Sequence, residues 1–157
     1  MVGKPTVFYR LLPVCFVAWL ASCGTVLMNQ TIERKAKDFT IALTKVKDGP
    51  NDYSRGDNSH FVPPDDHRFL WFTVTIRNDS PVAKTSNYDR CDVDDGGDRI
   101  LPALVDKDAA INILVDGEDE LDPQEQITRR MAFPYPEDRL PTRLTCGEAV
   151  FELTLKS

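Results

Sequence analysis

Histidine is scarce in this chain, and so is every pattern that would make one useful. His60 and His67 are the only two in 157 residues. The sequence has no His-Glu-x-x-His, no Gly-x-Ser-x-Gly elbow, no phosphate loop, no Cys-x-x-Cys and no glycine-rich dinucleotide turn. Those absences exclude the common signatures of zinc peptidases, esterases, nucleotide hydrolases and dithiol oxidoreductases. With Asp65 and Asp66 between them, His60 and His67 have the residue types for a zinc site. A Ser-His-Asp device would need one of them beside a serine such as Ser54 or Ser86. Against both stands the plain reading of a solvated loop ahead of a strand. Long apolar runs are missing too. The main one lasts only from Leu11 to Ser22 and contains Pro13, whereas a membrane-spanning helix needs roughly 20 residues.

Positive charge is also in short supply. Nineteen Lys and Arg face 25 Asp and Glu, a formal net charge of −6. The first 22 residues hold Lys4 and Arg10 and no acid, so the remainder stands at −8. A domain this acidic repels nucleic acid and anionic headgroups at long range. What is present in quantity is the material of a folded domain. Apolar residues make up 41%, the length suits one domain, and eleven prolines and eight glycines point to many turns.

The opening segment has three zones. Lys4 and Arg10 form a positive region, Leu11 to Ser22 an apolar one, and small residues then lead into Cys23, the anatomy of a secretory signal. Leu20-Ala21-Ser22-Cys23 resembles the lipobox of bacterial lipoproteins. That resemblance implies a diacylglyceryl group on Cys23, cleavage between Ser22 and Cys23, and attachment to a membrane through lipid. Each buried CH₂ contributes about 0.8 kcal/mol, so two or three chains hold firmly. Gly24, where an Asp would favour the inner membrane, implies the outer membrane by the same resemblance. The competing reading is an ordinary cleaved signal with Cys23 an incidental thiol. With Cys15 removed and Cys23 lipidated, Cys91 and Cys146 remain, an even pair in an exported domain and hence an expected disulfide. Two buried free thiols are the alternative.

Residues 23–37 read as the lipidated cysteine and a short tether, and 38–157 as the domain. Phe39, Ile41 and Leu43 alternate with Thr40, Ala42 and Thr44, which predicts a half-buried strand. Residues 48–66 form a long turn-rich loop. Leu70, Phe72, Val74 and Ile76 then mark the strongest strand, over 68–77. Further strands are expected at 84–93, 99–105, 111–115 and 127–133, the last stopped by Pro134 and Pro136, and a final one carries Phe151, Leu153 and Leu155. Asp94-Asp95-Gly96-Gly97 is expected to make a hairpin, and 116–126 to be polar and turn-rich. About seven short strands without an amphipathic helix predict an all-β fold, an antiparallel immunoglobulin-like β-sandwich. The segment Phe72 to Asn78, the Asp95-Gly96-Gly97-Asp98 turn, Leu121-Asp122-Pro123-Gln124-Glu125 and Phe133-Pro134-Tyr135-Pro136 together resemble the immunoglobulin-like, telokin-like domains of bacterial lipoproteins of unknown function. In those the fourth residue of the Leu-x-Pro turn is usually glycine, and here it is Gln124.

Acidic residues crowd one stretch. Between 89 and 125 stand 13 Asp and Glu against Arg90, Arg99 and Lys107. Asp92, Asp94, Asp95 and Asp98 are the candidate calcium ligands, since extracellular modules bind calcium from such loops. Yet Gly96 and Ala103 break the EF-hand pattern, and acidic turns also serve simply to keep a β-domain soluble. Phe69 and Trp71 lie opposite the apolar face of their strand, either as an exposed stacking patch or packed beneath the long loop. The expectation is a non-catalytic binding or structural module of the cell envelope with no cofactor, attached to the outer membrane and meeting an envelope protein partner. A calcium-dependent adhesion or sensing module is the alternative, and a small envelope hydrolase the rival of another class.

Overall fold

The computed structural model describes residues 24–54, 60–106, 113–114 and 118–156. The signal segment, Cys15 and Cys23 lie outside the described residues, as do most of the strand expected at 111–115 and the ends of the acidic loops.

One large antiparallel sheet organises the molecule. Its middle is β6 (His67–Asn78), the strand that the sequence marks most strongly. On one side β6 pairs with β3 (Phe39–Asp48), and on the other with β12 (Gln126–Pro136). β9 (Leu104–Asp106) and β10 (Ile113–Leu114) continue beyond β12. The opposite edge holds β1 (Thr25–Met28) and β2 (Ile32–Ala36), each paired to a different stretch of β3. The segment expected to be a tether is therefore sheet. Leu27 and Met28 sit in the core. The pairing starts at Thr25, opposite Asp48, and Gly24 packs so closely that a Cβ there would fall 2.0 Å from the Asp48 carbonyl oxygen.

A second sheet of three strands, β8 (Cys91–Asp94), β13 (Arg143–Cys146) and β14 (Ala149–Glu152), lies across one face of the first. Val93, Leu144 and Phe151 from it share one buried cluster with Leu43, Phe72, Val74, Met131 and Phe133 of the large sheet. The fold is thus an all-β antiparallel sandwich, and the described residues contain no α-helix. Phe72 and Phe133 meet edge to face at 5.2 Å between ring centroids, a favoured aromatic geometry.

Local chemistry explains where the strand boundaries depart from expectation. β3 reaches Asp48 because its register shifts between Leu43 and Lys45. That bulge inserts one residue and turns Val46, rather than Lys45, back towards the core. β12 runs through Pro134 and Pro136 instead of stopping before them. The carbonyl of Ala132 faces β9, accepting from the Ala103 N–H at 2.9 Å. Residues two and four further on face the same way, but β9 pairs only with Arg130 to Ala132. The prolines, which have no N–H to donate, therefore stand where no donor is needed. The stretch 84–93 is not one strand: β7 (Lys84–Asn87) gives way to a 3₁₀ turn at Tyr88–Arg90 before β8. β11 (Glu118–Leu121), in a stretch expected to be turn, pairs with β7. Counting these short pieces, the described residues hold more strand segments than the seven expected.

Asn78 ties the end of β6 to the neighbouring turns. It is fully buried, and its amide donates to the carbonyls of Val82, Leu121 and Asp122 while its oxygen accepts from the Ser80 N–H. At the facing turn Gln124 takes a φ of 65°, the left-handed conformation that suits glycine.

Candidate functional site

The four carboxylates considered for calcium do not converge. Asp92 and Asp94 are buried on β8, and each is taken by an arginine fork. Arg99 donates to Asp92 at 2.9 and 2.6 Å, and Arg143 donates to Asp94 with two bonds of 2.9 Å. Hydrogen bonds from Arg143 hold the Asp94 carboxyl below the usual carboxylate range, against the opposing effect of burial. Asp95 pairs with Arg139 at 2.8 Å. Its partial desolvation would raise its pKa, but the Gly97 N–H, the Tyr135 hydroxyl and Arg139 together draw it down. Asp98 is exposed and takes no side-chain partner among the described residues. In the second acidic stretch Asp119 accepts from Arg129 at 2.9 Å and from the buried Tyr88 hydroxyl, whose pKa burial and this bond push up. Among the described residues no three His, Cys, Asp or Glu gather as metal ligands.

The loop residues separate as well. His60 Nδ1 lies 2.9 Å from Asp52 Oδ1, and His67 Nδ1 lies 2.8 Å from the Asp65 carbonyl. Phe69 and Trp71 are not an exposed patch. They are 2% and 5% exposed and lie beneath Tyr53 and Phe61 of a short hairpin, β4 (Tyr53–Ser54) and β5 (His60–Phe61). The indole N–H donates to the Pro50 carbonyl at 3.1 Å, and the Tyr53 ring stands 5.2 Å away. Cys91 and Cys146 form a disulfide with Cα atoms 4.0 Å apart. They face each other directly across β8 and β13. The bond from the Gly147 N–H to the Arg90 carbonyl identifies theirs as a non-hydrogen-bonded pair, the closer type of cross-strand position.

Beside that disulfide opens a groove of about 480 Å³, within the size range of small-molecule sites. Three turns build it. The β2–β3 hairpin supplies Lys37 and Asp38, the 3₁₀ turn before β8 supplies Arg90, and the β13–β14 hairpin supplies Gly147 and Glu148. Gly147 has a φ of 59° and opens a two-residue turn between Cys146 and Ala149, as such hairpins require. Phe39, Ile41, Ile76 and the disulfide form the apolar part of the wall. Asp38 is held by Lys84 at 3.2 Å, and Glu148 accepts from the Lys37 backbone N–H at 3.1 Å.

The groove sits at the end of the sandwich where β3 begins, whereas Gly24 lies where β3 finishes. Ten residues of strand separate them, about 30 Å at the usual rise. Among the groove's residues the sequence points to chemistry only at Cys91, Cys146 and Ser86. Lys37 falls in the stretch that reads as a tether, because the Lys37-Asp38 turn lacks the Asn-Gly or Gly-x chemistry that marks two-residue hairpins. The signal that was available is Cys146-Gly147-Glu148, a Gly-x turn preceding the last strand.

No family model matches the sequence, and no curated protein matches it. Two solved structures are similar in shape. A conserved hypothetical protein from Bacillus anthracis superposes with a TM-score of 0.52 at 10% identity, covering 80% of this chain and 94% of its own. An uncharacterized beta-sandwich protein from Clostridium difficile 630 gives 0.48 at 11% identity, covering 77% and 83%. At 10% identity the first likeness shows the fold alone.

Proposed function

We propose that this protein is an exported, lipid-anchored envelope module that binds a partner or ligand without catalysis. The observation that carries the reading is Leu20-Ala21-Ser22-Cys23 at the end of a short apolar segment behind Lys4 and Arg10. The Cys91–Cys146 disulfide supports it, because such bridges persist in oxidising compartments. The groove of about 480 Å³ beside that disulfide supports the binding half.

On this reading the anchor has no spacer. Cys23 is joined to Gly24, and β1 starts at the next residue. The lipid then holds the Asp48 end of the sandwich at the bilayer, and the groove opens about 30 Å away from it. Gly24 also has a steric reason to be glycine, so its bearing on outer-membrane sorting is shared with packing.

The test is Cys23→Ser in the full chain. The variant is expected to lose labelled palmitate and to leave the detergent phase for the aqueous one. Undiminished palmitate labelling of the variant would overturn the anchor.

A further inference from the structure

We propose that the groove is a site for a small organic monoanion, an apolar body carrying a carboxylate, with Arg90 and Lys37 as the residues that select its charge. This deepens the reading of the chain as a binding module and rests on the groove being its binding site. In a chain of net charge −6, an acidic groove would be unremarked. Here the anions of the wall are already engaged. Asp38 is paired with Lys84, and Glu148 accepts from the Lys37 N–H. Glu118 is not without a partner either. In the adjoining hollow, which shares Arg90 and Gly147 with the groove, Asp92 is taken by the Arg99 fork.

The two cations of the groove stand otherwise. Lys37 and Arg90 line it, both residues are exposed, and neither side chain has an ion pair or hydrogen bond among the described residues. Arg90 also borders the second hollow. A guanidinium binds a carboxylate with two parallel N–H···O bonds, and a lysine adds a point charge. Phe39, Ile41 and Ile76 on the same wall offer the apolar body a place out of water. The acidic field of the whole domain acts against highly charged anions at long range. A monoanion with an apolar body meets little of that repulsion and gains both local contacts.

N-acetyl-phenylalanine and its neutral amide make a matched pair of probes, alike in body and different in charge. Each is titrated into the ¹⁵N-labelled full chain, and binding is read from backbone chemical shifts. The anion is expected to bind about tenfold more tightly than the amide, the scale of one charge-assisted contact, with the largest shifts at Lys37, Arg90, Cys91 and Gly147. Arg90→Gln with Lys37→Gln alters two exposed side chains and is expected to abolish the preference while leaving the rest of the spectrum unchanged. Equal affinity of the two probes for the unmodified chain overturns the charge selection but leaves the groove as a binding site. Absence of shifts at these residues with both probes overturns the site itself.

Discussion

The inner face of the large sheet is buried along the length of β6, the outer face only at its Phe69–Trp71 end, and the two are covered by different means. On the inner face Leu70, Phe72, Val74 and Ile76 meet a second sheet that is cross-linked by Cys91–Cys146. On the outer face Phe69, Trp71, Leu104 and Ala132 pack against Tyr53, Phe61 and Ala103, with Arg130 over the Trp71 ring, and Tyr53 and Phe61 come from the segment after β3. Adjacent residues of one strand therefore live under different regimes. Phe72 is enclosed by two hydrogen-bonded layers, which relax little when a side chain is removed. Trp71 is enclosed by a hairpin of two-residue strands, which is free to settle. The lesson is that burial fraction alone, 0% for Phe72 and 5% for Trp71, does not rank the two faces. The mechanical character of the cover does.

Removing the clamp and emptying the inner face should have the largest effects. Cys91→Ser with Cys146→Ser opens a link between residues 55 apart, and the chain-entropy relation gives a loss of about 4 kcal/mol. Thermal unfolding with and without reductant checks this: the unmodified chain should melt lower in reductant, and the double variant should not respond. The next comparison is direct. Phe72→Ala should cost about 4 kcal/mol and Trp71→Ala about 3 kcal/mol, because the outer cover collapses into part of the space. Denaturant titration measures both, and an equal or inverted order would show that the loop is as rigid as the second sheet.

A smaller effect is expected at the edge of the clamped sheet. Asp94→Asn weakens two bonds to Arg143 and the one from the Gly96 N–H, and should cost about 2 kcal/mol at neutral pH. The Asp94 carboxyl is held below its ordinary value in the folded chain. Its contribution is therefore complete above the unfolded carboxylate range and lost as pH falls through the lower folded value. The difference between the unmodified chain and Asp94→Asn should accordingly shrink as pH is lowered from about 5 towards 2. A gap that stays constant over this range would assign the effect to shape rather than charge. The smallest expected change has the opposite sign. Gln124→Gly relieves the left-handed φ of 65°, a strain of about 1–2 kcal/mol offset in part by the freedom glycine gains when unfolded. Stability should rise by about 0.5 kcal/mol, and a fall would mean that the Gln124 side chain makes a contact that matters more than its backbone.

Much of this was legible from residue order. Period-two alternation located β6, because a strand buried on one face must place an apolar side chain at every second residue. The Asp-Gly-Gly turn was readable because its residues tolerate tight backbone geometry. The Leu-x-Pro turn was readable too, and the left-handed Gln124 occupies the position where glycine is usual. β1 and β2 were not legible: β1 is four residues with adjacent Leu27 and Met28 both buried and no alternation, and in the short polar β2 only Ile32 and Ala36 are half-buried among Glu33, Arg34 and Lys35. The passage of β12 through two prolines was hidden as well. It depends on where β9 ends, a fact about a neighbour in space.

The sequence by itself determined the class of fold, the turn chemistry, the acidity of the domain and the pairing of its last two cysteines. Each of these is a property of nearby residues or of residue counts. Tertiary structure alone decided what the charges and aromatics are for. Arg143 and Arg139 reach Asp94 and Asp95 from more than 40 positions away, so two carboxylates of a stretch that reads as a run of negative charge are paired by arginines that sequence order keeps remote. Trp71 became core because a loop folds over it. Lys37 and Arg90 came to share one groove because the fold brings the β2–β3 turn and the 3₁₀ turn before β8 to the same end of the sandwich. Spatial neighbours set the electrostatics and the burial of a side chain, and in a sheet built from long-range pairs most of those neighbours are distant in the chain.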